Sequence, residues 1–177
     1  IKNRIVEKKM DSRFKTVGLI GAGQMGSGIA HVCALNGINV FLIDTSPELA
    51  KAGYNKIDAA LTRRCERNEI SENEKNSALS IISIGDSYQD FAKCDLVIEA
   101  ATEDEQIKKE ILKAVCPFLH PDTLIASNTS SISITRLGAQ TDRPEKFVGM
   151  HFMNPVPRME LVELIRGIAT DEKTFSA

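Results

Sequence analysis

The chain has 177 residues, 42% of them hydrophobic and 26% charged, with a net charge of -2. That is enough for one ordinary domain with a core, and near-neutral charge gives no ground for a nucleic-acid or anionic-membrane partner. No apolar run approaches the ~18 residues of a membrane span, and the N-terminus IKNRIVEKKM lacks a signal-peptide core and fits a transit peptide poorly, so a cytoplasmic protein is expected.

In chain order, residues 1–13 are set aside as an N-terminal extension, with Met10 a candidate start. "TVGLIG" (16–21) predicts a buried strand, and Gln24 to Leu35 a helix stopped by Asn36-Gly37. "NVFLID" (39–44) predicts a second strand. Ser46-Pro47-Glu48 then opens a long helix with a cap, a proline at its first position and an acid in its first turn. Ile57, Leu61 and Cys65 mark the buried stripe of that helix. Ser71-x-x-Glu74 reads as a capping box, and "ALSIIS" either closes the helix it starts or opens a third strand.

"DLVIEA" (95–100) is a further strand, and Thr102-x-x-Glu105 a second capping box for a helix running to about Val115, ended by Pro117. "TLIASN" (123–128), "KFVGMHF" (146–152) and "ELVELI" (160–165) complete the expected strands, and "TDEKTFSA" reads as the start of a helix. Strand-helix alternation with short connections predicts an α/β fold: a doubly wound, mainly parallel sheet with helices on both faces. The four cysteines, Cys33, Cys65, Cys94 and Cys116, show no paired spacing and are expected reduced. The three histidines show no ligand spacing, so no metal is expected. His31 and His120 are read as structural.

Gly21-Ala22-Gly23-Gln24-Met25-Gly26 is G-x-G-x-x-G. The pattern alone is weak; its place between a strand and a helix makes it a dinucleotide-binding turn. Gly21 allows the tight turn, Gly23 lets backbone approach a pyrophosphate, and Gly26 lets helix and strand pack closely. Asp44, at the end of the second strand, is placed to accept hydrogen bonds from a ribose, favouring NAD over NADP; a plain helix-capping acid is the alternative. One oddity remains. Glu163 sits inside Leu161-Val162-Glu163-Leu164-Ile165, twelve residues after His151, and a carboxylate among apolar residues calls for a partner.

GAGQMG, "DLVIEAATE", "ASNTSS" and "HFMNPVPRMELVE" together resemble the NAD-binding domain of the L-3-hydroxyacyl-CoA dehydrogenases, with the short-chain 3-hydroxybutyryl-CoA enzymes most similar. The last two motifs are far more specific than the glycine turn. The resemblance implies a Rossmann-type NAD-binding domain over 14–170, with 171–177 beginning a helical domain that the family carries and this chain lacks. It implies His151 as the base that takes the 3-hydroxyl proton, and Glu163 as a buried carboxylate orienting its imidazole. The prolines at 155 and 157 would turn the chain so that the two meet. Ser130 matches the serine that bonds the substrate oxygen, and Asn154 a position at the nicotinamide end. Glu103 and Lys108 match ribose-side cofactor contacts, with a solvated acid and a surface lysine as rivals, and Arg67 stands near where the family places a cation for the CoA phosphates, with a solvated helix face of Arg63, Arg64 and Arg67 as the equal alternative.

Met153 replaces the family's second aromatic, a similar-sized apolar filler. The implied protein is an NAD-dependent dehydrogenase of an acyl-CoA substrate in fatty-acid β-oxidation or short-chain acid metabolism, a homodimer through its helical domain. The rivals are a dehydrogenase of a free hydroxy acid, of the gulonate 3-dehydrogenase and lambda-crystallin type, and a non-catalytic NAD-binding module.

Overall fold

Each apolar run read as a strand is one, and successive strands are joined by helices or turns. The computed structural model describes residues 13–177, so the expected extension, Arg13 apart, lies outside the described residues. The elements are β1 (Thr16–Ile20), α1 (Gln24–Leu35), β2 (Asn39–Ile43), α2 (Pro47–Glu66), α3 (Glu72–Ser80), β3 (Ile82–Ile84), β4 (Leu96–Glu99) and α4 (Glu105–Val115), then β5 (Leu124–Ser127), α5 (Ile134–Gly138), β6 (Phe147–Phe152), β7 (Val162–Arg166) and α6 (Glu172–Phe175). The segment "ALSIIS" does both things expected of it, closing α3 and opening β3.

The strands form one seven-stranded sheet in the order β3-β2-β1-β4-β5-β6-β7. All neighbours run parallel except β7, which returns antiparallel to β6. Side chains alternate between two cores. Val17, Leu19, Leu96, Ile98, Leu124 and Ala126 pack on the α1–α2–α3 side. Ile20, Val97 and Ile125 pack on the opposite side with Leu112, Val115 and Leu137. Burial on both faces explains why these strands read as continuous apolar runs. The order reverses between β1 and β4, and a crevice opens there beyond the strands' carboxyl ends.

Helix starts follow side-chain chemistry. The Ser46 hydroxyl accepts from Leu49 N, and Ser71 with Glu74 forms the expected capping box. The second expected box is corrected. Asp104, not Thr102, caps α4, its carboxylate accepting from Ile107 N at 2.9 Å. Glu105 instead binds Arg136 and Lys109. The nearer, ionised acceptor wins the helix end, where such a cap contributes about 1 kcal/mol. The stripe of α2 is also narrower than expected: Ile57 and Leu61 are buried, Cys65 only partly. All four cysteines are free thiols. No described helix is long and apolar enough to cross a membrane, and no metal-holding cluster occurs among the described residues.

His31, on α1, is 2% exposed. Burial, helped by nearby Arg64, pushes it down to about 4 from an ordinary 6.5. The unfolded chain therefore binds a proton that the folded chain refuses between these values, so stability falls as pH drops from about 6.5 toward 4, by up to roughly 3 kcal/mol. Glu103, held low, loses its contribution as pH falls from the usual carboxylate value of 4.5 toward about 2 and does not act in the upper part of that window. Urea midpoints at pH 7.5 and 5.0 test this: His31→Gln is expected to shrink the difference seen for the parent chain, and an unchanged difference would assign it elsewhere.

Candidate active site

The glycine turn is built by close approach. Gly21 has φ +100°, and a Cβ on Gly26 would lie 1.8 Å from the Gly21 carbonyl oxygen. Nothing stands within 4 Å of a Cβ position on Gly23, and no side chain caps α1. The first turn of α1 thus offers its amides and positive dipole end to an anion across open backbone, which fits a dinucleotide's pyrophosphate. Asp44 lies beside this turn. Its Oδ2 accepts from Ala22 N at 2.6 Å, and its Oδ1 from the Thr45 amide at 2.7 Å. The carboxylate expected to meet a ribose therefore fastens the turn to the end of β2.

The next strand ends carry a buried charge network. Glu99 closes β4 opposite Ser127 of β5 in the sheet register, and the Ser127 hydroxyl donates to Glu99 Oε2 at 2.6 Å. Lys108, 1% exposed, places Nζ 2.7 Å from Glu99 Oε1 and 3.6 Å from Glu103 Oε2. Glu103 Oε1 then accepts from the hydroxyls of Thr129, Ser130 and Ser131 and from the amides of Ser130 and Ser131. Burial alone would raise Glu103, but the Thr129 and Ser130 hydrogen bonds and the Lys108 ammonium outweigh it and hold the acid at about 2. Ser130 is fixed by this clasp and remains exposed.

His151 lies near the end of β6, and the antiparallel return sets it opposite Glu163 in register. Nδ1 of His151 is 2.9 Å from Glu163 Oε2. The prolines make the expected corner, with a cis peptide at Asn154–Pro155. Gly28 admits that corner against α1, since a Cβ there would meet Val156 at 2.9 Å. Gln24 Nε2 consequently donates to Asn154 Oδ1 at 3.1 Å. Burial of Glu163 is corrected: its side chain is 52% exposed and that of His151 23%. Every residue of β7 is exposed, and this strand is one of the sheet's two edges.

A cavity of about 310 Å³ joins the glycine turn to the histidine, lined by Met25, Glu103, Ser130, His151 and Asn154 among others. A neighbouring one of about 360 Å³ is lined by Ser130, His151 and Glu163. A third, of about 500 Å³, runs past Gln24 and Asn154 between α1 and α2 and is lined by Lys56 and Arg63. Arg67, one further turn along that helix face, caps the end of α2; its side chain is 60% exposed and lies 3.9 Å from Glu69. Three useful residues escaped the sequence. Asn128 accepts from Phe152 N at 2.9 Å and ties the Ser130 loop to the strand bearing His151. Lys56 carries no motif. Glu99, an acid within "DLVIEA", bore the same signal that singled out Glu163.

The geometry has close counterparts. A family model described as the NAD binding domain of 3-hydroxyacyl-CoA dehydrogenase matches residues 16–177. The 3-hydroxybutyryl-CoA dehydrogenase of Bradyrhizobium diazoefficiens is 55% identical over 95% of this chain, which spans 57% of that protein. The crystal structure of (S)-3-hydroxybutyryl-CoA dehydrogenase from Ralstonia eutropha superposes with a TM-score of 0.90 at 47% identity, covering 92% of this chain and 58% of that one. An NAD+-dependent dehydrogenase of a substituted pyridine carboxylic acid superposes at 0.80 with 29% identity, covering 92% of this chain and 52% of its own. The chain thus spans little more than half the length of these relatives.

Asp44→Asn separates its two roles. If it meets a ribose, NAD affinity is expected to fall about tenfold with little change for NADP. Equal losses for both, read by calorimetry, would confine Asp44 to holding the turn.

Proposed function

Because this chain belongs to the 3-hydroxyacyl-CoA dehydrogenase family, as its NAD-binding domain, we propose that it is the cofactor half of an enzyme interconverting an (S)-3-hydroxyacyl-CoA and its 3-oxoacyl-CoA. Short acyl chains, the 3-hydroxybutyryl and acetoacetyl pair, are the preferred substrates, as in the names of its relatives. The observation that carries the reading is the 2.9 Å contact of His151 with Glu163 beside Ser130, at the end of a cavity leading from the glycine turn.

A carboxylate at Nδ1 selects the tautomer that donates there, leaving Nε2 to accept a proton. His151 then acts as general base on the 3-hydroxyl, and Glu163 balances the charge the ring acquires. Ser130 stays tied to Glu103 through its amide, and its hydroxyl, which donates to Glu103 in the structure, turns that proton to the substrate oxygen when substrate binds. Bound NAD would supply the acceptor for the hydride from C3. Asn154 serves the nicotinamide end and Glu103 the ribose side, with Lys108, whose ammonium is taken up by Glu99 and Glu103, behind it. Lys56 and Arg63, with Arg67 beyond, give α2 a basic face suited to the phosphates of CoA.

On and beside β7, Met159, Leu161, Leu164 and Ile168 leave an apolar surface exposed, Ile168 at 90%. We assign its cover, and dimer formation, to the additional length that the relatives possess. A cytoplasmic role in fatty-acid or short-chain acid oxidation completes the reading.

The test is acetoacetyl-CoA-dependent oxidation of NADH by the whole protein carrying this chain. His151→Ala is expected to lower kcat about 10²–10⁴-fold while NADH affinity stays unchanged; loss of both would make His151 structural. Turnover of a free hydroxy acid but not of the CoA ester would move the substrate to the gulonate 3-dehydrogenase and lambda-crystallin class.

A further inference from the structure

Glu99, Lys108 and Glu103 form a line of charge from the sheet interior to the cavity that joins Met25 to His151. Glu99 is fully buried and Lys108 nearly so. The Lys108 ammonium is spent on Glu99 Oε1, the Ala101 carbonyl and Glu103 Oε2, so it reaches the cavity through its charge rather than by contact. Two carboxylates share one ammonium, which leaves one net negative charge. One carboxylate would suffice to neutralise the lysine; the second faces the cavity. No lysine or arginine lines that cavity among the described residues. Glu103 cannot swing away, because the Thr129–Ser131 loop donates to it from several directions.

The nicotinamide ring carries a positive charge when oxidised and none when reduced. A fixed negative potential at the cavity therefore favours one redox form over the other, and in a partly enclosed site it is screened less than in water. We propose that the Glu99–Lys108–Glu103 triad sets the site's preference for oxidised over reduced NAD, with Glu99 and Lys108 as positioning residues that fix the charge of Glu103. This rests on the reading that the cavity between Met25 and His151 receives the nicotinamide.

The test is calorimetric binding of NAD+ and NADH, separately, to the 177-residue chain. Glu99→Gln makes the triad neutral while retaining a polar group for Ser127, and is expected to raise the ratio of Kd for NAD+ to Kd for NADH about three- to tenfold. Glu99→Gln with Lys108→Met restores one net negative charge and is expected to return the ratio to the parent value. Parallel weakening of both forms, or an unmoved ratio, would overturn the proposal, since a merely structural role moves both alike. Should Glu99→Gln fail to fold by circular dichroism, Glu103→Gln, at a 40% exposed side chain, carries the same change of charge and the same expected shift. Binding of neither form by the parent chain would instead remove the cofactor reading, and the proposal with it.

Discussion

The start of α1 lies against the end of β1 with no side chain between them. A single methyl group on Gly26 would drive into the Gly21 carbonyl oxygen, and one on Gly21 would meet the Ala100 backbone beyond β4. This approach sets where the helix begins relative to the sheet's centre, where the order of strands reverses. The uncapped amides of α1, the Asp44 bond to Ala22 and the floor of the cavity beside Met25 all follow from it. A turn one side chain wider would displace each of them.

Beyond that turn the site is held by side chains that bridge neighbouring strand ends. Glu99 receives Ser127 across β4 and β5, Asn128 receives Phe152 across β5 and β6, and Glu163 meets His151 across β6 and β7. Gln24 reaches Asn154 and closes the circuit back to α1. Parallel strands deliver their carboxyl ends to one rim, so short bridges of this kind suffice to align groups distant in sequence. The loops contribute donors, while the sheet register fixes the spacing.

The strands, the long helices and the glycine turn were legible because each rests on local signals: apolar runs, caps, and a spacing that only a close turn needs. The register of His151 and Glu163 was legible through the motif and the prolines between them. What failed has two causes. The sequence marks Glu163 as an acid in an apolar run, yet its strand is the open edge of the sheet; the buried acid is Glu99, in an equally apolar run that is central. Periodicity distinguishes apolar from polar but not central from edge, since strand order is a property of the whole chain. Asp104 displaced Thr102 as a cap for a different reason: two acceptors competed within one turn, and charge decided between them.

The edge position of β7 also sets a timescale. Amide hydrogens of an outermost strand exchange with solvent through local fraying, at a free-energy cost below that of global unfolding. His151 is on β6, flanked by strands on both sides, whereas the carboxylate beside it rides on an edge strand. The imidazole can thus lose its partner while the dinucleotide turn, at the sheet's centre, stays intact. The glycine turn and the His151–Glu163 pair therefore rest on different parts of one sheet, the first at its centre and the second at an edge.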